Sequence, residues 1–260
     1  MSAATRERLA RLVASERFDL AEANLLICAE ARDGLDMASS LAHVEGLAQI
    51  AREAGVVPAL RDGGFRGDRQ DYDDPRNSLL DAVLERRRGL PIALSTLALA
   101  VARRVGTPLA GIGMPGHFLV ADLSGPVPDY IDPFGGWRRV DVAECASIVE
   151  RTTGLAFRAE FLAPVGDRAI VARTLLNLRG SYLRRRDLAA ALWTVELGLI
   201  VAPDDADLVT GSVTLLAGAG RYEEAEAAAT AFLASRPDDP AAPGLRDRLA
   251  AIADLQRRMN

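Results

Sequence analysis

Histidine and cysteine are both scarce, with two of each in a chain of 260 residues. Cys28 and Cys145 lie far apart in unrelated contexts, which supplies neither a disulfide framework nor zinc-ligand spacing and suits a reducing compartment. With His43 and His117 alone, a multi-histidine metal centre is excluded. Basic charge is not in excess either: the formal net charge of −5 leaves no basic face of the kind that nucleic acid requires. Arginines cluster at residues 86–88 and 184–186, but each run sits beside acidic residues and reads as a solvated helix face. Long apolar runs are missing as well. The longest, residues 90–102, stops at Arg103-Arg104, whereas a membrane span needs about 20 residues. The start, Met1-Ser2-Ala3-Ala4-Thr5-Arg6-Glu7-Arg8, is charged with no apolar stretch behind it, so no signal peptide is read. A cytoplasmic protein that uses no cofactor and meets neither nucleic acid nor membrane is expected.

Alanine, leucine and arginine dominate what is present, a composition that favours helix. Asp19 is placed to cap a helix running from Leu20 to Ala31 and ending at Asp33-Gly34. A second helix, from about Asp36, carries Leu41, Val44, Leu47, Ala48 and Ala51 at spacings of three and four and stops near Gly55. Residues 63–76 are polar and turn-rich, a loop long enough to be functional or mobile. Ser78 with Asp81 three residues later reads as the cap of a helix through Leu84. Pro91 suits the first position of the next helix, where its missing N–H does no harm. That helix, to about Val105, is apolar nearly all round and so belongs in the middle of a domain.

After Gly106-Thr107-Pro108 short strand-like runs follow at residues 109–112, 117–122, 130–132 and 137–140. Connections this short suit antiparallel hairpins. From Asp167 onward the pattern is helical again, and it repeats. Asp187-Leu188-Ala189-Ala190-Ala191 aligns with Arg221-Tyr222-Glu223-Glu224-Ala225 at an offset of 34, and the same offset carries Pro203-Asp204-Asp205 onto Pro237-Asp238-Asp239. Thirty-four residues is the tetratricopeptide period. About two repeats and a closing helix at 244–258 are expected.

Three motifs occur in order: Arg87-x-Gly89-x-Pro91-Ile92-x-Leu94, then Pro115-Gly116-His117-Phe118, then Ile131-Asp132-Pro133-Phe134. Together with the repeats they resemble the SirB-type regulator family, bacterial proteins with a transglutaminase-like core followed by tetratricopeptide repeats. The resemblance covers most of the chain. It implies an α+β fold: a helical lead-in, a transglutaminase/papain-like core with a central helix on a small antiparallel sheet, and then an all-α array. The expected limits are residues 1–165 for the core with its lead-in and 166–260 for the repeats.

Transglutaminase chemistry needs a thiol at a helix N-terminus, where the dipole favours thiolate. It also needs an imidazole to take the proton and a carboxylate to fix its tautomer. His117, opening one strand, and Asp132, ending the next, stand in the expected order. The position of the nucleophile in active relatives falls at or near Pro91, which has no nucleophile. Cys28 reads as a packed core thiol. Cys145 could swing near His117 but is not at a helix start of the right kind. Ser95 reads as a hydroxyl bonded to the carbonyl four residues earlier. His43 reads as a partly exposed or satisfied histidine on the second helix, Arg87 as a partner for a carboxylate inside the fold, and Asn77 as a residue that shapes the turn.

For His117 a structural role is preferred over ligand binding and catalysis. Arg87, Pro91, His117 and Asp132 thus form the candidate cleft, with His117 and Asp132 as a vestigial pair. The expected function is a regulatory scaffold that takes a protein or peptide partner through its repeats. The alternative is a hydrolase or acyl-transferase using His117 and Asp132 with a non-cysteine nucleophile or an activated water.

Overall fold

A computed structural model describes residues 3–259. Its elements run α1 (Ala3–Val13), α2 (Leu20–Ala31), α3 (Met37–Ala54), α4 (Val56–Asp62), β1 (Arg66–Gly67), α5 (Leu80–Arg86), β2 (Arg88–Gly89) and α6 (Pro91–Val105). The sheet strands β3 (Leu109–Ile112), β4 (Leu119–Asp122), β5 (Asp129–Asp132) and β6 (Arg138–Val140) come next, then α7 (Val142–Thr153) and β7 (Pro164–Val165). The chain closes with α8 (Asp167–Arg184), α9 (Leu188–Val201), α10 (Ala206–Gly218), α11 (Tyr222–Ser235) and α12 (Ala242–Met259). Two compact units divide between Thr174 and Leu175. The fold is α+β.

In the first unit the apolar helix α6 is the centre. Every residue from Pro91 to Ala102 is buried, and α2, α3, α4, α5 and strands β3 and β4 all pack on it. Burying a leucine such as Leu94 or Leu97 stabilises the fold by about 1.5–3 kcal/mol. The caps fall where the sequence places them: Asp19 accepts from the amides of Ala21 and Glu22, and Asp36 from Ser39. Ser78 is not the cap of α5. That position belongs to Leu79, which has no side-chain cap bond, because Ser78 is drawn into a 3-10 turn over Pro75–Asn77 and its amide binds the Pro75 carbonyl.

The sheet is antiparallel throughout, in the order β6-β5-β4-β3-β7. A second apolar cluster (Ile112, Met114, Leu119, Ala121, Val140, Cys145, Ile148 and Val149) packs α7 onto it.

The second unit contains the repeats. Helices α9 and α11 begin at 188 and 222 and end at 201 and 235, so both boundaries reproduce the 34-residue offset. Ala191 and Ala225 are fully buried, small side chains where neighbouring helices approach closely. Asp187 and Asp205 cap α9 and α10. Val209, Val213, Phe232 and Leu245 form the core of α10 to α12. Among the described residues no helix is long and apolar enough to cross a membrane, and no group of His, Cys, Asp and Glu is placed to hold a metal ion.

Candidate functional site

The strand register brings His117 to Asp132. In the β4–β5 ladder Val120 faces Ile131; one step along brings Leu119, the first residue of β4, level with Asp132, and His117 lies two residues before it. His117 is therefore not the first residue of its strand, as the motif suggests. It sits on the turn before β4, where its amide binds the Met114 carbonyl. Its Nε2 is 2.9 Å from Asp132 Oδ1, the same oxygen that accepts from the Gly135 amide at 3.0 Å. A Cβ on Gly135 would collide with Asp132 Oδ2, so the turn after β5 requires glycine there. Burial works to raise the Asp132 pKa, but the bond and charge of His117, the Gly135 amide and the Arg138 guanidinium outweigh it and hold the carboxyl below its usual range.

The other wall is the start of α6. Pro91 is its first residue and Leu90 its cap, with no side-chain cap bond. The Leu90 amide donates to the Asn77 carbonyl at 2.7 Å. Asn77 is buried and does more than shape a turn: its Nδ2 donates to the Asp71 carbonyl, and its Oδ1 accepts from Arg86. Arg86 also reaches Asp68 at 3.0 Å and Asp74 at 3.6 Å, two buried carboxylates. This network fixes the polar segment 63–76, whose Arg66 and Gly67 pair in parallel with Arg88 and Gly89. Arg86, not Arg87, is the arginine that pairs inside the fold. Arg87 is exposed and ends α5 in a left-handed conformation, φ 55°.

Pro91, His117 and Asp132 line one cavity of about 340 Å³ together with Arg69, Phe134 and Arg151. Arg87 is not among its residues. Phe134 stands edge-on to both His117 and Tyr72. The turn that bears His117 is braced from α8, where the half-buried Arg173 donates to the carbonyls of Met114 (2.8 Å) and His117 (3.3 Å). Nothing in the sequence singles out Arg173, which looks like any helix-surface arginine.

The cysteines are elsewhere. Cys28 is buried in α2, and burial together with the nearby Asp81 charge raises its pKa well above the ordinary value. Cys145 is not at the exposed start of a helix: it opens the second turn of α7, behind an Asp141–Glu144 capping box, with its own amide bonded to the Asp141 carbonyl. Its thiol faces the apolar cluster, and burial with the charges of Asp141 and Glu144 pushes its pKa up to about 11. The Ser95 hydroxyl is buried but makes no bond to the carbonyl four residues earlier or to any other group among the described residues. His43 is exposed on α3.

A model of the transglutaminase-like superfamily matches residues 28–176, and a tetratricopeptide-repeat model matches residues 178–257. A UPF0162 protein of Vibrio cholerae is 32% identical over 203 residues, covering 77% of this chain and 75% of that one. The chain belongs to the transglutaminase-like superfamily and to the UPF0162 proteins, with a tetratricopeptide array behind the core. A UPF0162 protein of Xylella fastidiosa is 42% identical over 127 residues, 46% of this chain and 44% of its own length. F-box only protein 21 of Homo sapiens is 31% identical over 162 residues, 56% of this chain but 24% of that protein.

Proposed function

We propose that the protein is a non-catalytic regulatory scaffold that docks a protein or peptide partner on its repeat array. What supports this is the residue at the start of α6. Pro91 shares a cavity with His117 and Asp132, and it offers no nucleophile and no amide hydrogen. Both thiols are buried, and neither lines this cavity. The array is of a kind that serves as a docking surface. In this reading residues 1–165 form the core and 166–260 carry the repeats, the plan of the SirB-type regulators, working in the cytoplasm. Affinity purification of the full chain from its native host should recover a partner in stoichiometric amount, held equally by wild type and His117→Ala. Absence of any partner, or loss of it in His117→Ala, contradicts docking through the array.

A second reading has one observation in its favour: the 2.9 Å His117–Asp132 pair lines a cavity rather than a closed core. A hydrolase or acyl-transferase would use His117 as base toward a water or a hydroxyl, with Asp132 orienting it. Turnover of amide, ester or isopeptide substrates that disappears in His117→Ala would support it.

A further inference from the structure

The cavity at His117 carries a charge opposite to that of the chain. The whole molecule has a net charge of −5, yet this cavity is lined by Arg69, Arg138 and Arg151 against a single carboxylate, Asp132. That carboxylate is already engaged by the imidazole and the Gly135 amide. Arg138 is shared with Glu144, whereas among the described residues no carboxylate lies within ion-pair distance of Arg69 or Arg151. Both are exposed. Arg69 is steered by the Phe134 ring, its guanidinium carbon 5.8 Å from the ring centre, which holds a flexible cation over one wall.

Two further features act in the same direction. The 15-residue helix α6 presents its first residue, Pro91, to the cavity, with no side chain capping that end, so the positive end of its dipole adds to the field. The edge-to-face pair of Tyr72 and Phe134 supplies an apolar wall beside the cations. At about 340 Å³ the space is at the small end of ligand pockets, which suits a single ring with its substituent rather than a long chain.

We propose that this cavity is an oxyanion-binding site for a small ligand that joins a carboxylate or phosphate to a flat apolar body. The oxyanion sits between Arg69 and Arg151, near enough to His117 to be sensed by its ring, and the apolar part lies against Phe134. Guanidinium forks match both oxyanions in geometry, so the two are separated by experiment. The inference does not depend on what the repeat array holds.

The chain's two histidines make the test direct. His117 imidazole signals report on the cavity, and those of the exposed His43 serve as the internal control. The full-length protein is titrated with benzoate, phenyl phosphate, the neutral benzamide and inorganic phosphate. The expected result is a saturable shift of the His117 signals with benzoate or phenyl phosphate, weakened by added salt, and none with benzamide. A tighter benzoate identifies a carboxylate ligand and a tighter phenyl phosphate a phosphate ligand. Arg69→Gln with Arg151→Gln should weaken the binding about tenfold, the sum of two exposed charge contacts, while the thermal unfolding curve stays in place. Three results would overturn the proposal: benzamide shifting His117 as benzoate does, neither aromatic anion shifting it, or inorganic phosphate competing as well as phenyl phosphate. The last would mean a site for an adventitious ion only.

Discussion

Asp132 is buried beside a base, and its ionised form is part of the fold. Its carboxyl is held below the usual range, so the folded state favours the charged form. That stability is fully present above the unfolded carboxylate pKa of about 3.9 and is lost as pH falls through the lower folded value. Urea unfolding of wild type and Asp132→Asn should therefore differ most near neutral pH and converge in strong acid. A constant difference down to the lowest pH would contradict the linkage. The thiols give a second expectation at this scale. Cys28 and Cys145 are both fully buried and have raised pKa values, so alkylation near pH 8 should label neither in the native state and both in guanidinium. Rapid native labelling of one would show that its cluster opens. Pro91, His117 and Asp132 were legible in the sequence because three short motifs carry them in chain order. Arg69, Phe134, Arg138 and Arg151 were not legible as a group: they come from a loop, a turn, a strand and a helix that only the fold brings together. The slip from Arg86 to Arg87 has a similar cause, since adjacent arginines at a helix end point to different faces and the sequence does not say which one is buried.

At the scale of elements, period and capping carried most of the information. α2, α3, α6 and the four sheet strands lie within a residue or two of their expected limits. The apolar girth of α6 correctly placed it at the centre. The missed elements include α7, a 12-residue helix opened by an Asp141–Glu144 capping box and carrying Cys145, Ile148 and Val149 on one apolar face, signals that were present in the sequence. The others are too short to show a period: β1 and β2 are two residues each, and β7 is another two-residue strand separated from its partner β3 by the whole of α7. The segment 63–76 read as a loop because its order comes from Asp68, Asp74, Asn77 and Arg86 rather than from an apolar face. Gly67 belongs to that segment and lies hard against the turn that carries Phe134, where an added Cβ would come within 2.6 Å of the Phe134 carbonyl oxygen. Gly67→Ala should therefore destabilise the chain by about 1–3 kcal/mol, as overpacking does. Chemical denaturation measures this, and an unchanged midpoint would mean that the turn yields freely.

For the molecule as a whole, the offset of 34 was the most informative sequence signal, because it specifies helix boundaries that recur to the residue in α9 and α11. The close approach behind it is tested by Ala225→Leu. Ala225 is fully buried, and the larger side chain should cost about 1–3 kcal/mol, read as a lower melting temperature. A neutral effect would show that α10 and α11 have room to spare. The proposal of a non-catalytic core rests on Pro91, which opens α6 without a nucleophile, beside a His117–Asp132 pair at 2.9 Å. The most direct measurement is turnover of a panel of amide, ester and isopeptide substrates by wild type and His117→Ala. The expected result is no turnover in wild type above that of His117→Ala. Turnover by wild type that His117→Ala abolishes would contradict a non-catalytic core.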